Sequence, residues 1–325
     1  MERAMDCMVR MTGPGGVERL EVLPCAPQEP GPGEIRIRHD AIGVNFLDIY
    51  HRTGLYPLPG LPAVLGVEGA GVVEAVGPGV AALAPGQRVA YCGAPVGAYA
   101  ATRLLPAARA VPLPEGIAAR LAAAAMLRGL TAHMLLTRVH PVGPDTTLLV
   151  LAAAGGLGAL LVRWASRLGA RVIGTVGSPA KAALAERAGA GAVIVGRDVD
   201  LPAEVAALTG GRGVDFAVDG VGGAGLLKVL GCVRPFGTVA NVGQAAGPVP
   251  PLRIEQIGSR RLSRPSVMAY SADPEAYPAA AAALFAALRE GIVPEIGAEY
   301  PLAEAARAQA DLEAGRTVGS LLLIP

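Results

Sequence analysis

The residues whose types and spacing most clearly suit chemistry lie in Leu148-Leu149-Val150-Leu151-Ala152-Ala153-Ala154-Gly155-Gly156-Leu157-Gly158-Ala159. An apolar strand runs into a glycine-rich turn that opens a helix. Ala153-x-Gly155-x-x-Gly158 is the dinucleotide fingerprint with Ala in the first glycine position. The middle glycine lets backbone N–H groups approach a pyrophosphate, and the last lets helix and strand pack closely. The positive end of the helix dipole then faces the diphosphate. A tight structural turn is the plain alternative, but the position between a strand and a helix in a run of such units favours a bound dinucleotide.

Which dinucleotide follows from acids that are missing. An NAD site carries an acidic residue about twenty positions downstream for the ribose diol. No Asp or Glu occurs from Thr146 to Ala185, and the second strand ends in Gly174-Thr175-Val176-Gly177-Ser178-Pro179-Ala180-Lys181. A hydroxyl and a cation three residues apart at a helix N-terminus suit a 2′-phosphate, and Arg197 after the third strand adds a second cation. The expected cofactor is NADPH.

These residues need a scaffold, and the texture of the chain supplies one. Strands expected over 147–152, 171–176, 192–195, 214–218 and 238–242 alternate with helices over 159–168, 179–188, 201–208 and 224–233, after a helix over 121–137. That alternation reads as βαβ units around a parallel sheet covered on both faces. Before residue 120, apolar alternations over 34–38, 69–77 and 86–91 are separated by Gly/Pro turns and suggest a small barrel-like β unit. Helices over 278–289 and 303–314 follow, and a last strand over 320–324 is expected to pair back with the β-rich first part.

Composition excludes several other classes. The 325 residues are 52% hydrophobic and 17% charged, with net charge +1, which rules out a disordered charged tail and leaves no global field for phosphate polymers. Aromatic content of 4% argues further against nucleic acid as the main partner. Cys7, Cys25, Cys92 and Cys232 are scattered without Cys-x-x-Cys spacing, which favours small buried thiols and a reducing compartment. The opening residues Met1 to Asp6 lack the apolar core of a signal peptide, so a cytoplasmic location is expected. The uncharged stretch 146–162 reads as strand, turn and helix rather than a membrane span.

With these motifs in hand, the chain resembles a quinone oxidoreductase of the zeta-crystallin type, in the zinc-free branch of the medium-chain dehydrogenase/reductase superfamily. The likeness runs from Gly43-Val44-Asn45-Phe46-Leu47-Asp48-Ile49-Tyr50 and Gly54-Leu55-Tyr56-Pro57 through Leu65-Gly66-Val67-Glu68-Gly69-Ala70-Gly71 and Arg128-Gly129-Leu130-Thr131-Ala132. It continues through the glycine turn and Ser263-Arg264-Pro265-Ser266 to Gly319-Ser320-Leu321-Leu322-Leu323-Ile324-Pro325. The resemblance implies an α/β protein: a GroES-like β-rich catalytic domain over 1–127, completed by 263–325, and a Rossmann NADPH-binding domain over 128–262. It also implies a homodimer. Asn45 and Val67 stand where zinc-dependent members carry Cys and the His of Gly-His-Glu, so no metal is expected.

By the same resemblance, Asn45, Phe46 and Tyr50 lie beside the nicotinamide, with Thr131 across from them. Gly155, Gly156 and Leu157 meet the pyrophosphate, and Thr175, Ser178 and Lys181 surround the adenosine ribose and its phosphate. Val221, Gly243, Gln244, Ser266 and Val267 line the cofactor, and Arg316 closes the site. The implied acceptor is a quinone or another electrophilic carbonyl compound. From their place in the Asn45–Tyr50 block, Tyr50 and Asn45 are expected to polarise its carbonyl as the catalytic residues, the alternative being that Tyr50 only packs on the nicotinamide ribose. Two other readings stay open on the sequence: reduction of an enone or enal carbon–carbon double bond, and NADPH binding with little turnover.

Overall fold

The computed structural model describes residues 6–325, so Met1 to Met5, part of the segment read above for a signal peptide, lie outside the described residues. The strands in chain order are β1 Cys7–Met11, β2 Leu20–Pro24, β3 Glu34–Val44, β4 Ala63–Val64, β5 Glu68–Val76, β6 Arg88–Cys92, β7 Thr102–Pro106 and β8 Val111–Pro112. They continue with β9 Thr147–Val150, β10 Arg171–Val176, β11 Ala192–Val195, β12 Val214–Asp219, β13 Val233–Asn241, β14 Arg261–Ser263, β15 Ile296–Pro301 and β16 Ser320–Ile324. The α-helices are α1 Phe46–Thr53, α2 Ala119–Met134, α3 Gly156–Arg167, α4 Pro179–Arg187, α5 Leu201–Thr209, α6 Leu226–Cys232, α7 Val267–Ala272, α8 Ala276–Arg289 and α9 Ala305–Glu313.

The chain forms two compact units. The first runs to Leu127 and resumes over Ser271–Pro325. Its main sheet has the order β15-β16-β3-β5-β6-β8, with β7 also paired to β3. The C-terminal strand β16 pairs antiparallel with β3 (Leu321 with Val44, Leu322 with Gly43), which is the return expected of 320–324. Alternation along β3 sends Ile35 and Ile37 inward, where they join Val73, Val89, Leu105, Leu321 and Leu323 in one apolar core. Strand β3 delivers the chain to Asn45, so the packing of β16 on β3 fixes where α1 begins.

The second unit is Arg128–Tyr270. Its sheet has the order β11-β10-β9-β12-β13-β14, and every neighbouring pair is parallel. The chain adds strands on one side of β9 up to β11, then starts again on the other side at β12. The loop after β9 therefore lies at the switch point, outside the carboxyl ends of the strands, where open α/β sheets bind ligands. Leu149, Ile173, Ala217 and Val239 from the strands pack with Val205, Leu226 and Val229 from the helices. The uncharged stretch 146–162 resolves into β9, the turn and the start of α3, and no helix among the described residues is long and apolar enough to cross a membrane.

Several expected boundaries moved. The helix after the glycine turn begins at Gly156 rather than 159, because Gly155 adopts the extended N-cap conformation and the following residues complete the first turn. The segment expected as a helix over 224–233 gives way at Val233, where β13 begins and runs through Arg234, Pro235 and Phe236. Strand β14 and helix α1 were not foreseen as elements.

Candidate active site

On the first unit the candidate residues start with Asn45, which is the N-cap of α1. Asp48, three residues on, accepts a hydrogen bond from the Asn45 N–H at 2.9 Å. This is the return half of a capping box, and it secures a donor that the helix itself leaves over. Gly54, in the left-handed region at φ 80°, ends the helix. Asp48 is fully buried and also accepts from the Tyr99 hydroxyl at 3.1 Å. Burial, the neighbouring Asp48 charge and its hydrogen bond hold that hydroxyl far above the ordinary tyrosine range.

Below Asp48 the network continues into α9. Gln309 Nε2 donates to the Tyr99 hydroxyl (3.4 Å), and Arg52 donates to Gln309 Oε1 (2.9 Å), Glu313 Oε2 (2.7 Å) and the Gly15 carbonyl (3.2 Å). Arg52 is 1% exposed, so these bonds carry the whole burden of a desolvated cation. Above them Phe46, Tyr50 and Tyr56 form an aromatic run, with ring centroids 6.1 Å and 5.2 Å apart. Asn45 Nδ2 donates to Glu68 Oε1 at 2.7 Å. Val67, in the preceding position, is fully buried and apolar. This pair, an amide that donates and a hydrocarbon, is not a ligand set for zinc.

The structure does not bring Arg316 to the Asn45 end of α1. Its guanidinium is bound twice to Asp311 Oδ1, at 2.9 and 2.6 Å. It lines a concavity of about 680 Å³ together with Arg52 and Thr53, at the far end of that helix.

On the second unit the structure brings most of the expected residues to one edge. Gly155, Gly156 and Leu157 follow β9; Thr175, Ser178 and Lys181 end and follow β10; Val221 follows β12; Gly243 and Gln244 follow β13; Ser266 and Val267 follow β14. Thr131 is buried on α2 instead. The glycine turn is built tightly. A Cβ on Gly158 would stand 2.2 Å from the Ala152 carbonyl oxygen, and Ala152 itself adopts φ 52° although it is not glycine. Such a conformation is stored only where the surroundings enforce it.

The departure at Ala153 has a partner in β10. A Cβ on Gly174 would stand 2.8 Å from the Ala153 Cβ, so the methyl group missing at Gly174 makes room for the one present at Ala153. The Ala153 N–H donates to the Thr175 carbonyl at 2.9 Å and ties the turn to the end of β10. The first turn of α3 holds no acidic residue, and its leading N–H groups lack intrahelical partners. Arg197 is exposed beside Gly177, its Nε 3.2 Å from where a Gly177 Cβ would be.

Sequence reasoning missed the groups that hold these loops. Asp219, at the end of β12, accepts from the N–H groups of Val221 (2.8 Å) and Gly222 (2.9 Å) and from Asn241 Nδ2 (3.1 Å). Asn241 also donates to the Gly243 carbonyl at 3.0 Å. One buried carboxylate therefore shapes two of the loops at the sheet edge. The signal available for it was an acidic residue at the carboxyl end of an apolar strand. For Asp48 the signal was its place three residues after the Asn45 cap.

Comparison with known proteins bears on both units. Residues 31–115 match the family model described as alcohol dehydrogenase GroES-like domain, and residues 156–287 match that described as zinc-binding dehydrogenase. A quinone oxidoreductase of Pseudomonas aeruginosa is 44% identical over 315 residues, covering 96% of this chain and 97% of that protein. A 2-haloacrylate reductase of a Burkholderia species is 41% identical over 308 residues, covering 91% and 92%. The crystal structure of Escherichia coli quinone oxidoreductase complexed with NADPH superposes with a TM-score of 0.94 at 38% identity, covering 98% of this chain and all of that one. This chain belongs to the quinone oxidoreductase family, within the medium-chain dehydrogenase/reductase superfamily.

Proposed function

We propose that this protein is an NADPH-dependent quinone oxidoreductase that works without a metal. The carrying observation is the acid-free stretch 146–185, in which Thr175, Ser178 and Lys181 end and follow β10, while Arg197 lies beside Gly177 and the Ala153–Thr175 hydrogen bond joins the end of β10 to the glycine turn. That constellation offers backbone N–H groups and a helix N-terminus to a pyrophosphate, and hydroxyls and cations to a 2′-phosphate. The structural relative complexed with NADPH supports the same cofactor.

When bound, NADPH supplies a hydride equivalent, two electrons with one proton. The quinone takes up two electrons and two protons to become the hydroquinone, the second proton coming from water. The chain's own task is placement in an apolar surround rather than proton storage. Gly155, Gly156 and Leu157 hold the pyrophosphate, and Val221, Gly243 and Gln244 line the cofactor on loops shaped by Asp219. Ser266, Val267 and Thr131 extend that lining. Tyr50 and Asn45 bind the acceptor carbonyl, with Phe46 beside them, and the buried Asp48–Tyr99–Gln309–Arg52 chain keeps α1 in place. Arg316, held by Asp311 at the far end of α1, has no part in this reading.

The relative that reduces 2-haloacrylate favours a second reading, hydride delivery to an activated carbon–carbon double bond. NADPH oxidation scanned over simple quinones, enals and enones, with NADH run in parallel, separates the two. Turnover with quinones exceeding that with enals supports the first reading, and the reverse order replaces it. As part of this proposal the protein is a cytoplasmic homodimer. Its four cysteines are free thiols, and β14 is an outer strand of the second unit's sheet. Sedimentation equilibrium checks the subunit number.

A further inference from the structure

Glu68 is fully buried at the start of β5, in a segment of glycine, alanine and valine. A carboxylate in such a place is tolerated only if donors meet it. Two donors reach different oxygens. The backbone N–H of Leu127, on α2, meets Oε2 at 2.6 Å, and Asn45 Nδ2 meets Oε1 at 2.7 Å. The neighbouring strand is cut back for this contact: a Cβ on Gly43 would stand 2.1 Å from Glu68 Oε1. The proposed function uses Asn45 and leaves Glu68 without a part.

The two donors differ in freedom. A backbone N–H has one direction, whereas an asparagine amide fits its space in either of two orientations that exchange oxygen for nitrogen. A carboxylate accepts and never donates, so only the orientation with nitrogen toward Glu68 is bonded. We infer that Glu68 is a positioning residue of the active site, which fixes the orientation of the Asn45 amide and so the hydrogen-bonding pattern Asn45 offers to bound molecules. This inference rests on the reading of Asn45 as a site residue. Glu68 acts through Asn45 and touches no reacting atom.

The chemistry of the pair gives a test by reversal. In E68Q, one oxygen and one NH2 replace two acceptors. The oxygen must serve Leu127, whose N–H cannot turn, so the NH2 faces Asn45 and its amide has to rotate. In N45D, two carboxylates face each other. In N45D/E68Q the amide introduced at position 68 donates to the carboxylate introduced at position 45. That restores one hydrogen bond of reversed direction, with the same total charge as the wild type. All three changes are nearly isosteric.

With NADPH and 1,4-benzoquinone, each single variant should lose at least about tenfold in kcat/KM, the scale of one charge-assisted hydrogen bond. The double variant should recover to within about threefold of wild type, a coupling that independent sites do not show. A second readout needs no cofactor. In N45D the like charges raise the carboxyl pKa of the pair, so the thermal stability deficit should grow as pH rises from about 5 to about 8, and the double variant should lack that dependence. Among the described residues, titratable groups coupled to the pair include Asp48 on α1, and Tyr91, Cys92 and Tyr99. Burial raises the pKa of the last three, the Glu68 charge adds to it in each, and the Asp48 charge adds to it for Tyr91 and Tyr99, so all three stay protonated throughout.

An E68Q enzyme with wild-type kcat/KM, or a double variant no better than the weaker single, overturns the inference. So does an N45D protein whose melting has no such pH dependence. If the wild type itself fails to oxidise NADPH with the quinone, the proposed function falls while the cofactor-free melts still decide the role of Glu68.

Discussion

The glycine turn contains two glycines that are required for different reasons, and substituting each by alanine should separate them. At Gly158 a Cβ would overlap the protein itself, 2.2 Å from the Ala152 oxygen and 2.9 Å from the Ala153 Cα. These are backbone atoms, and Ala152 already sits at φ 52°, so little relaxation is open to them. Overpacking costs about 1–3 kcal/mol, and a clash with backbone atoms that cannot give way belongs in the upper part of that range, about 2–3 kcal/mol, of which the better helix propensity of alanine returns about 1 kcal/mol. The net loss of about 1–2 kcal/mol corresponds to a fall in Tm of about 2–8 °C in a chain of this size.

At Gly155 the only close atom is the Ala152 oxygen at 3.2 Å, and the backbone at φ −78° and ψ 169° suits alanine. The cofactor-free G155A protein should therefore keep its stability to within about 1 kcal/mol. Its added methyl group instead occupies the approach of the pyrophosphate to the backbone. Losing one charge-assisted hydrogen bond there should weaken NADPH binding by about 10–100-fold. Thermal melts of the cofactor-free proteins and NADPH fluorescence titrations measure the two effects separately. G155A binding NADPH like wild type, or G158A melting like wild type, would refute the reasoning.

Three further outcomes follow from the same contacts. G174A should destabilise by about 1–3 kcal/mol because its methyl meets that of Ala153, and A153G/G174A should recover most of the loss in urea unfolding; an unrescued double variant would sink the pairing. R197A and K181A should each raise the KM for NADPH about tenfold or more while leaving that for NADH nearly unchanged, and a parallel loss with both cofactors would deny the 2′-phosphate role. Acid should weaken the fold through its histidines. Burial lowers the pKa of His39 to about 3, with Nδ1–H given to the Ala100 carbonyl and Nε2 accepting from Tyr91, and burial also lowers those of His51, His133 and His140. Below the ordinary value of 6.5 the unfolded chain binds protons that the folded one refuses. Stability should then fall by about 1.4 kcal/mol per pH unit for His39 alone, and H39Q should show a shallower slope in acid unfolding.

The alternating part of the fold was legible because continuous Val/Leu/Ile runs followed by helical segments have few other uses. Strands β10, β11 and β16 fall where their sequences place them, since each is built on a short apolar run: Val172-Ile173, Ala192 to Val195 and Leu321 to Ile324. Helix α1 was not legible as an element. Its Asp48, His51 and Arg52 are all buried, and burial of polar residues depends on partners such as Gln309, 257 residues from Arg52. Strand β14 has three residues, Arg261-Leu262-Ser263, too few to show a period.

At the site, the glycine turn and the acid-free end of β10 could be read because both are local. Glu68 could not, because its partners lie 23 and 59 residues away. The reason for Ala153 in a glycine position was likewise hidden until β10 placed Gly174 against it. Arg316 shows the converse: the family resemblance suggested a cofactor contact, while its local geometry pairs it with Asp311.

The most direct test of the central claim is a single-turnover experiment under anaerobic conditions. Enzyme preloaded with one equivalent of NADPH is mixed with 1,4-benzoquinone, and the loss of reduced-nicotinamide absorbance is followed beside hydroquinone formation. Stoichiometric conversion, much faster than with NADH and abolished by competing NADP⁺, is the expected result. Absorbance that persists, or decays at the rate of the mixture without enzyme, would contradict the account.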